Sequence, residues 1–346
     1  MNQYKQVIEN FFKDFQPNSI SRNDLDQYYN HPREWKYLSR IKIINNKPIF
    51  HANEGEKRGR YGPVVDLIKK VTELYNFKDT EFLVNTGDGV HSDVPCFGVI
   101  RTNPEKPKGI IPFPVGNSNG MKYGFGTPIV NWDKYVDEHI VQLGKKYDFK
   151  SKINKVAWRG SFKMITWAAG QYSKKRIESW RDCTRSKLYF ITKDREDIFD
   201  VGITGISDKY HSPNSPVPDE AYDLIKLKNR IPFPEMQKYV GIMDVGNVCE
   251  WSERIRKQLY MNSVMIMQEQ SAQEFFTPLL KPFIHYVPTK GDWSDLVQIG
   301  EWVVNSPEEV KKIIENANQF AYQYLCEKSM YEYTKMAIEK YTTLLK

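Results

Sequence analysis

Apolar positions recur along the first half of this chain with two different periods. Val7, Phe11, Phe12 and Phe15 fall at helical spacing within residues 1–30, which predicts a partly exposed helix with a docking face. Tyr37-Leu38 and Ile41-Lys-Ile-Ile44 read as strands, and Asn45-Asn-Lys47 breaks them as a turn does. From Val64 to Tyr75 the apolar residues return every three or four positions, the pattern of an amphipathic helix. Phe82, Leu83 and Val84 form a buried strand, and Cys96–Arg101 and Gly109–Phe113 read as two more. The glycine-rich stretches Gly116–Gly120 and Gly124–Gly126 are expected to be loops.

A polar run, Gly144 to Lys152, separates this half from a second, and a domain boundary is placed near residue 150. Beyond it, Val156-Ala157-Trp158 is a short buried strand that ends in the turn Arg159-Gly160-Ser161. Met164 to Trp180 predicts an interrupted helix, and Arg181 to Ile191 is expected to feed another strand. Met236 to Asp244 reads as a strand ending in Asp244-x-Gly246, followed by a helix over Trp251–Met261. Ser263–Met267 and Phe283–Pro288 are further short strands, and helices follow from Asp292 and Ser306. Strand and helix alternate here as in a parallel α/β layer.

A length of 346 residues predicts two domains, and a hydrophobic content of 40% predicts packed cores. The net charge is +7, without a basic run long enough for a nucleic-acid arm. No stretch approaches the roughly 20 apolar residues of a membrane span, and the N-terminus lacks the apolar core of a secretory signal. Cys96, Cys183, Cys249 and Cys326 lack CxxC spacing, so free thiols and a cytoplasmic location are expected. The terminal Thr342-Thr-Leu-Leu-Lys346 is not an ER-retention signal.

Several residues suggest chemistry. The guanidinium of Arg159, the permissive backbone of Gly160 and the hydroxyl of Ser161 stand at a strand's carboxyl end, where open α/β sheets place ligands. Such a set can hold a phosphate or serve only structure. Asp88 follows the strand at Phe82–Val84 and reads either as a general base or as an Asx-turn residue before Gly89. Asp24-Leu-Asp26 has the form of a metal-holding DxD, but its place after Ser21 reads as the acidic first turn of a helix. His285, flanked by Ile284 and Tyr286, reads as a hydrogen-bonded core residue. Asp295 reads as a helix cap, and Asp244 as a turn-shaping residue. Glu274 reads either as a surface residue or as a contact to a ligand hydroxyl.

Four features occur in order in the second half: Trp158-Arg159-Gly160-Ser161, Asp244-x-Gly246 with Ser252-x-Arg254, Glu274-Phe with Pro278, and His285-Tyr286-Val287-Pro288 with Asp295-Leu296. Together they resemble glycosyltransferase family 90, the family of capsule-associated proteins and Rumi-like protein O-glucosyltransferases. The resemblance spans roughly residues 80–340.

It implies a GT-B architecture: two Rossmann-like domains facing across a cleft. On this basis residues 1–150 are the acceptor half, residues 151–320 the nucleotide half, and residues 321–346 a helix returning to the first half. It also implies a UDP-sugar donor, glucose or xylose, and an inverting transfer that needs neither metal nor cofactor. The acceptor is then a hydroxyl of a glycan, a lipid-linked sugar or a protein. Arg159, Gly160 and Ser161 match the family's arginine–glycine–serine turn beside the donor. Asp244 and Gly246 lie in the matching strand end. Ser252 and Arg254 match the serine-x-arginine whose arginine meets the diphosphate. Asp88 matches the base, with Asp93 as the alternative. Without the resemblance, Arg254 reads as a cation on a helix surface. A catalytically inactive nucleotide- or carbohydrate-binding module of the same fold is the second expectation.

Overall fold

Two five-stranded sheets organise the chain. The computed structural model describes residues 2–30, 37–52, 60–87, 92, 94–101, 109–117, 126–162, 180–206, 217–246, 252–270 and 272–346. In the first half it contains α1 (Asn2–Phe12), α2 (Arg22–Tyr29), β1 (Leu38–Ile44), β2 (Lys47–Ala52), α3 (Tyr61–Leu74), β3 (Thr80–Asn85), β4 (Cys96–Gly98) and β5 (Ile110–Pro112). Next come α4 (Trp132–Val136), α5 (Gln142–Gly144), β6 (Ile153–Phe162), α6 (Thr184–Thr192), β7 (Phe199–Ile206), α7 (Asp219–Leu224) and β8 (Tyr239–Asp244). The chain closes with α8 (Ile255–Gln258), β9 (Val264–Gln268), β10 (Val287–Thr289), α9 (Leu296–Asn305), α10 (Pro307–Tyr324) and α11 (Glu327–Thr342).

The chain divides into two compact α/β units. Unit 1 holds residues 1–135, 271–279 and 323–346, and unit 2 holds residues 136–270 and 280–322. The change of unit at Tyr135–Val136 precedes the polar run near 150 and falls within the helical segment that runs from Trp132 to Gly144. The excursion at 271–279 and the return at 323 have no compositional mark.

Unit 1 has the sheet order β2-β1-β3-β4-β5. Strands β3, β4 and β5 are parallel, while β1 pairs antiparallel with both β2 and β3. The β1–β2 turn uses Asn45 and Asn46 at φ 49° and 60°, the left-handed conformation that tight hairpins require and asparagine tolerates. Helix α3 buries Val64, Leu67, Ile68 and Val71, the stripe predicted from their spacing. The C-terminal helix α11 belongs to this unit and packs on α1 and α3. Its Tyr341 is buried against Phe82 and Phe97, with ring centroids 6.0 and 5.2 Å away, and its hydroxyl donates to Pro95 O at 2.6 Å.

Unit 2 has the order β10-β9-β8-β6-β7, parallel throughout. Its strands are nearly continuous apolar runs, as expected where both faces of a parallel sheet are covered. Trp158, Phe199, Val201, Val240 and Ile266 are part of one core with Trp293 and Val303. Two sequence expectations change here. Residues 184–192 form helix α6 and not a strand approach: Leu188 and Thr192 recur on one buried stripe, and the strand begins only at Phe199. Phe283–His285 form a turn, with Phe283 at φ 57°, so the strand is confined to Val287–Thr289. The expected helix over 164–180 lies outside the described residues except for its end at Trp180. Cys96, Cys183 and Cys326 are free thiols.

The aromatic core of unit 1 therefore depends on a residue of the last helix, Tyr341. Tyr341→Ala is expected to cost about 3–5 kcal/mol, the range for deleting a buried ring. Tyr341→Phe is expected to cost about 1 kcal/mol, the net value of its hydrogen bond. Urea denaturation of both variants measures this. Equal losses would show that the hydrogen bond matters and the ring packing does not.

Candidate functional site

The strand order of unit 2 identifies where a ligand belongs. The chain enters the sheet at β6, adds β7 on one side, then crosses back to place β8, β9 and β10 on the other. The carboxyl ends of β6 and β8 thus flank the topological switch point, the crevice where open α/β sheets bind ligands. Ser161 lies at the end of β6 and Asp244 at the end of β8.

Two arginines meet there. Arg254 precedes α8; its Nε donates to Ser252 Oγ at 2.9 Å and its Nη2 to Val245 O at 3.3 Å. The same Nη2 is 3.7 Å from Asp244 Oδ1, an ion-pair distance but too long for a hydrogen bond. Arg185 arrives from the first turn of α6; its Nη1 donates to Ser161 O at 2.7 Å, and its guanidinium lies 5.4 Å from the Trp158 ring centroid. The backbone N–H of Gly246 donates to Gln268 Oε1 at 3.1 Å, which ties the β8 end to β9. Ser161, Asp244, Gly246, Ser252 and Arg254 are therefore gathered at one end of the sheet.

Arg185 was not among the residues singled out from sequence, because its segment read as a strand approach. A signal was present. Arg185, Leu188, Tyr189 and Thr192 lie at i, i+3, i+4 and i+7, so the arginine sits on the helix's buried stripe. A cation on an inward face needs a partner, and a partner is what a ligand site supplies.

The electrostatics follow from burial. Burial pushes Arg185 down to about 9, with the Arg254 cation adding to the effect, so it stays charged at neutral pH. Burial raises Asp244, against the opposing pull of Arg254, Ser252 and Arg185. Lys257, on α8, is pushed down to about 7, chiefly by burial, and its ammonium lies 5.4 Å from the Phe233 ring centroid. The Arg254 guanidinium lies 5.9 Å from the same centroid. Two guanidinium groups against one carboxylate leave an excess of positive charge, which suits an anion of more than one charge.

Arg159 is placed differently. It follows Trp158 by one residue, so its side chain leaves the other face of the sheet. Its Nη2 donates to both carboxylate oxygens of Asp200 at 2.8 Å, its Nη1 to Asp200 O and Trp158 O, and its Nε to Asn229 O. Lys228 and the Tyr239 hydroxyl also donate to Asp200. All three guanidinium nitrogens are engaged, and an anion would have to displace Asp200 to reach them. Gly160 is required for a packing reason: a Cβ there would lie 2.4 Å from the Trp158 indole. That indole fills the space where the sequence suggested a close approach by a ligand.

Asp88 and Asp93 lie outside the described residues. Asp24 accepts from the Ser21 N–H and hydroxyl in a capping box, and Asp26 pairs with Arg40, so neither carboxylate of the DxD is held open. Among the described residues no group of three His, Cys, Asp or Glu side chains is arranged to hold a metal. His285 is half-buried; its Nδ1 accepts from Lys281 N, and its ring lies 4.8 Å from that of Phe320. Asp295 stands at the N-cap position of α9 but accepts from Thr289 Oγ1 and Lys290 N instead of the helix. Glu274 is buried. Unit 1 carries an open groove of about 580 Å³ between α3 and residues 128–131, lined by Asp66, Lys69, Lys70 and Glu73. Among the described residues no helix is long and apolar enough to cross a membrane.

Comparison with known proteins gives a match to the model of Glycosyl transferase family 90 over residues 123–346, well over half of the chain. Uncharacterized protein 035R of Invertebrate iridescent virus 3 is 25% identical over 335 residues, covering 89% of this chain and 29% of that protein. Protein O-glucosyltransferase 2 of Danio rerio is 26% identical over 310 residues, covering 87% of this chain and 55% of that protein. The chain thus spans about a third to about half of the length of these relatives. Among solved structures, a glycosyltransferase from Rickettsia africae has a TM-score of 0.39 at 12% identity, covering 81% of this chain and 75% of that one.

The Arg159–Asp200 pair yields a stability prediction. Burial alone would raise Asp200, but hydrogen bonds from Arg159, Tyr239 and Lys228 outweigh it and hold the carboxyl well below its usual range. A depressed carboxylate contributes stability above its unfolded-state value, near 3.9, and loses it as pH falls toward the folded value. Asp200→Asn is expected to destabilise the protein by about 3 kcal/mol near neutrality, the cost of breaking a buried pair. The deficit should shrink below about pH 4. Urea titrations across pH test this, and a deficit independent of pH would mean the carboxylate charge is not what stabilises the strand pair.

Proposed function

The chain belongs to glycosyl transferase family 90, and on that premise we propose that it transfers a sugar from a UDP-sugar to a hydroxyl of a glycan or other acceptor. The transfer inverts the anomeric carbon and proceeds without a metal. Glucose and xylose are the sugars we favour; protein O-glucosyltransferases among the relatives support the first.

One observation carries this reading: Arg185 and Arg254 both stand at the switch point of the parallel sheet, each within electrostatic reach of Asp244. As the donor's glycosidic bond breaks, negative charge accumulates on the departing UDP. Two guanidinium groups fixed by Ser161 O, Ser252 Oγ and Val245 O meet that charge without reorganising. Guanidinium groups are fixed cations, so a divalent ion is not needed for this task. Arg159 holds β6 against β7 in this scheme, through Asp200, and contributes position in place of contact. Removal of the acceptor proton is assigned to Asp88 by the family resemblance, with Asp93 as the alternative. The polar groove along α3, with carboxylates and ammonium groups that can bond sugar hydroxyls, is our candidate for acceptor contact.

The expected outcomes are separable. UDP should raise the melting temperature without added metal, and EDTA should leave turnover unchanged. Arg254→Ala and Arg185→Ala should each weaken UDP binding by about ten- to a hundredfold, for charge-assisted hydrogen bonds of about 1.5–3 kcal/mol. Asp88→Asn should lower turnover by about 10²- to 10⁴-fold, the usual contribution of a general base, and leave UDP affinity in place. Turnover abolished by EDTA would remove the metal-independent mechanism. UDP binding with no transfer or hydrolysis of any UDP-sugar would make the chain a binding module.

A further inference from the structure

Asp244 is an awkward neighbour for a diphosphate. It is 1% exposed, at the very end of β8, beside the two arginines that the anion would meet. Its Oδ1 receives no hydrogen bond among the described residues, and the nearest Arg254 nitrogen is 3.7 Å away. The groups facing it are Arg185 from α6 and, from the segment before α8, Arg254 with Ser252. Strand β9 presents Met267 in register and Gln268 next to it, both uncharged, and β6 presents its apolar run. Helix α8 adds the cations Arg256 and Lys257 beyond Arg254.

We propose that Asp244 is the ligand's placeholder: its carboxylate holds Arg185 and Arg254 together in the empty site, and it takes up one proton when diphosphate oxygens replace it. The idea rests on the reading of this site as a diphosphate site. Without a ligand, the buried Arg185 and the partly exposed Arg254 repel each other unless a negative charge lies beside them. Asp244 supplies that charge without fully bonding either arginine, so both keep donors available for another anion. Once the diphosphate is bound, both guanidinium groups pair with it, and the buried Asp244 carboxylate, left beside like charges without its counter-ions, takes the proton. The proton comes from the buffer and ends on a carboxylate oxygen of Asp244; no bond of the ligand breaks. Burial already inclines this carboxyl toward its neutral form.

Uptake of a proton on binding means that binding weakens as the proton becomes scarcer. The affinity of the parent protein for UDP should therefore fall by about three- to tenfold per pH unit above neutrality, up to the full linkage of one proton.

Isothermal titration of the full chain with UDP at pH 7.5, in two buffers of contrasting ionisation heat, counts the proton directly. The parent protein should take up more protons than Asp244→Asn, and the variant should lose the matching pH dependence of its affinity. Proton exchange by the ligand's own phosphate is common to both proteins and cancels in the difference. If Asp244→Asn does not fold, Asp244→Ser takes its place, and a smaller proton uptake by the parent than by the variant overturns the proposal. Equal counts in parent and variant overturn it as well. Inorganic pyrophosphate is titrated in parallel. Pyrophosphate binding without UDP binding would end the nucleotide reading, and the proton count would then be decided with pyrophosphate. Binding of neither would remove the anion site and this proposal together.

Discussion

Like charges can be held side by side in a dry protein only when something of opposite sign stands between them. At the open end of the second sheet, Arg185 and Arg254 satisfy this condition through Asp244, Ser161 O, Ser252 Oγ and Val245 O. Each partner serves to fix a guanidinium plane, and together they leave net positive charge at the switch point of a parallel sheet. On the function proposed above, that charge stands ready for a departing nucleoside diphosphate, which needs positive charge placed in advance.

The rest of the second unit holds this corner still. On one face of β6, Trp158 fills the room above Gly160 and offers its ring to Arg185. On the other face, Arg159 clamps Asp200 and so fixes β6 against β7. Neighbouring residues of one short motif thus act on opposite faces, one toward the site and one toward the strand pair. The alternation of side chains along a strand makes that division unavoidable. The first unit is completed by a helix from the far end of the chain. Tyr333 and Tyr341 donate to the carbonyls of Pro112 and Pro95, and Ile20 bridges to Leu345, so residues far apart along the chain are joined in one unit.

Local patterns were legible wherever the physical cause is local. The period of Val64, Leu67, Ile68 and Val71 gives helix α3, the pair Asn45-Asn46 gives the hairpin turn, and Ser21 with Asp24 gives a helix cap where a metal motif was the alternative. The apolar runs of β6, β8 and β9 identify a sheet covered on both faces. The strand misplaced at 181–191 fails because a short apolar run fits either period and packing in the core with Phe199 decides it, whereas Phe283 is exposed and turns with positive φ, which its apolar character does not announce.

By itself the sequence determined the α/β class, the family, and a set of polar residues at strand ends, because these depend on residue type and short spacing. Tertiary structure decided which of those residues share a site. Arg185 and Asp244 are brought together by strand order, through contacts between residues distant along the chain. Arg159 leaves the strand on the face opposite Trp158 and is held there by Asp200. Spacing along a chain cannot express either fact, since both depend on which strands lie next to each other and on which face each side chain leaves the sheet.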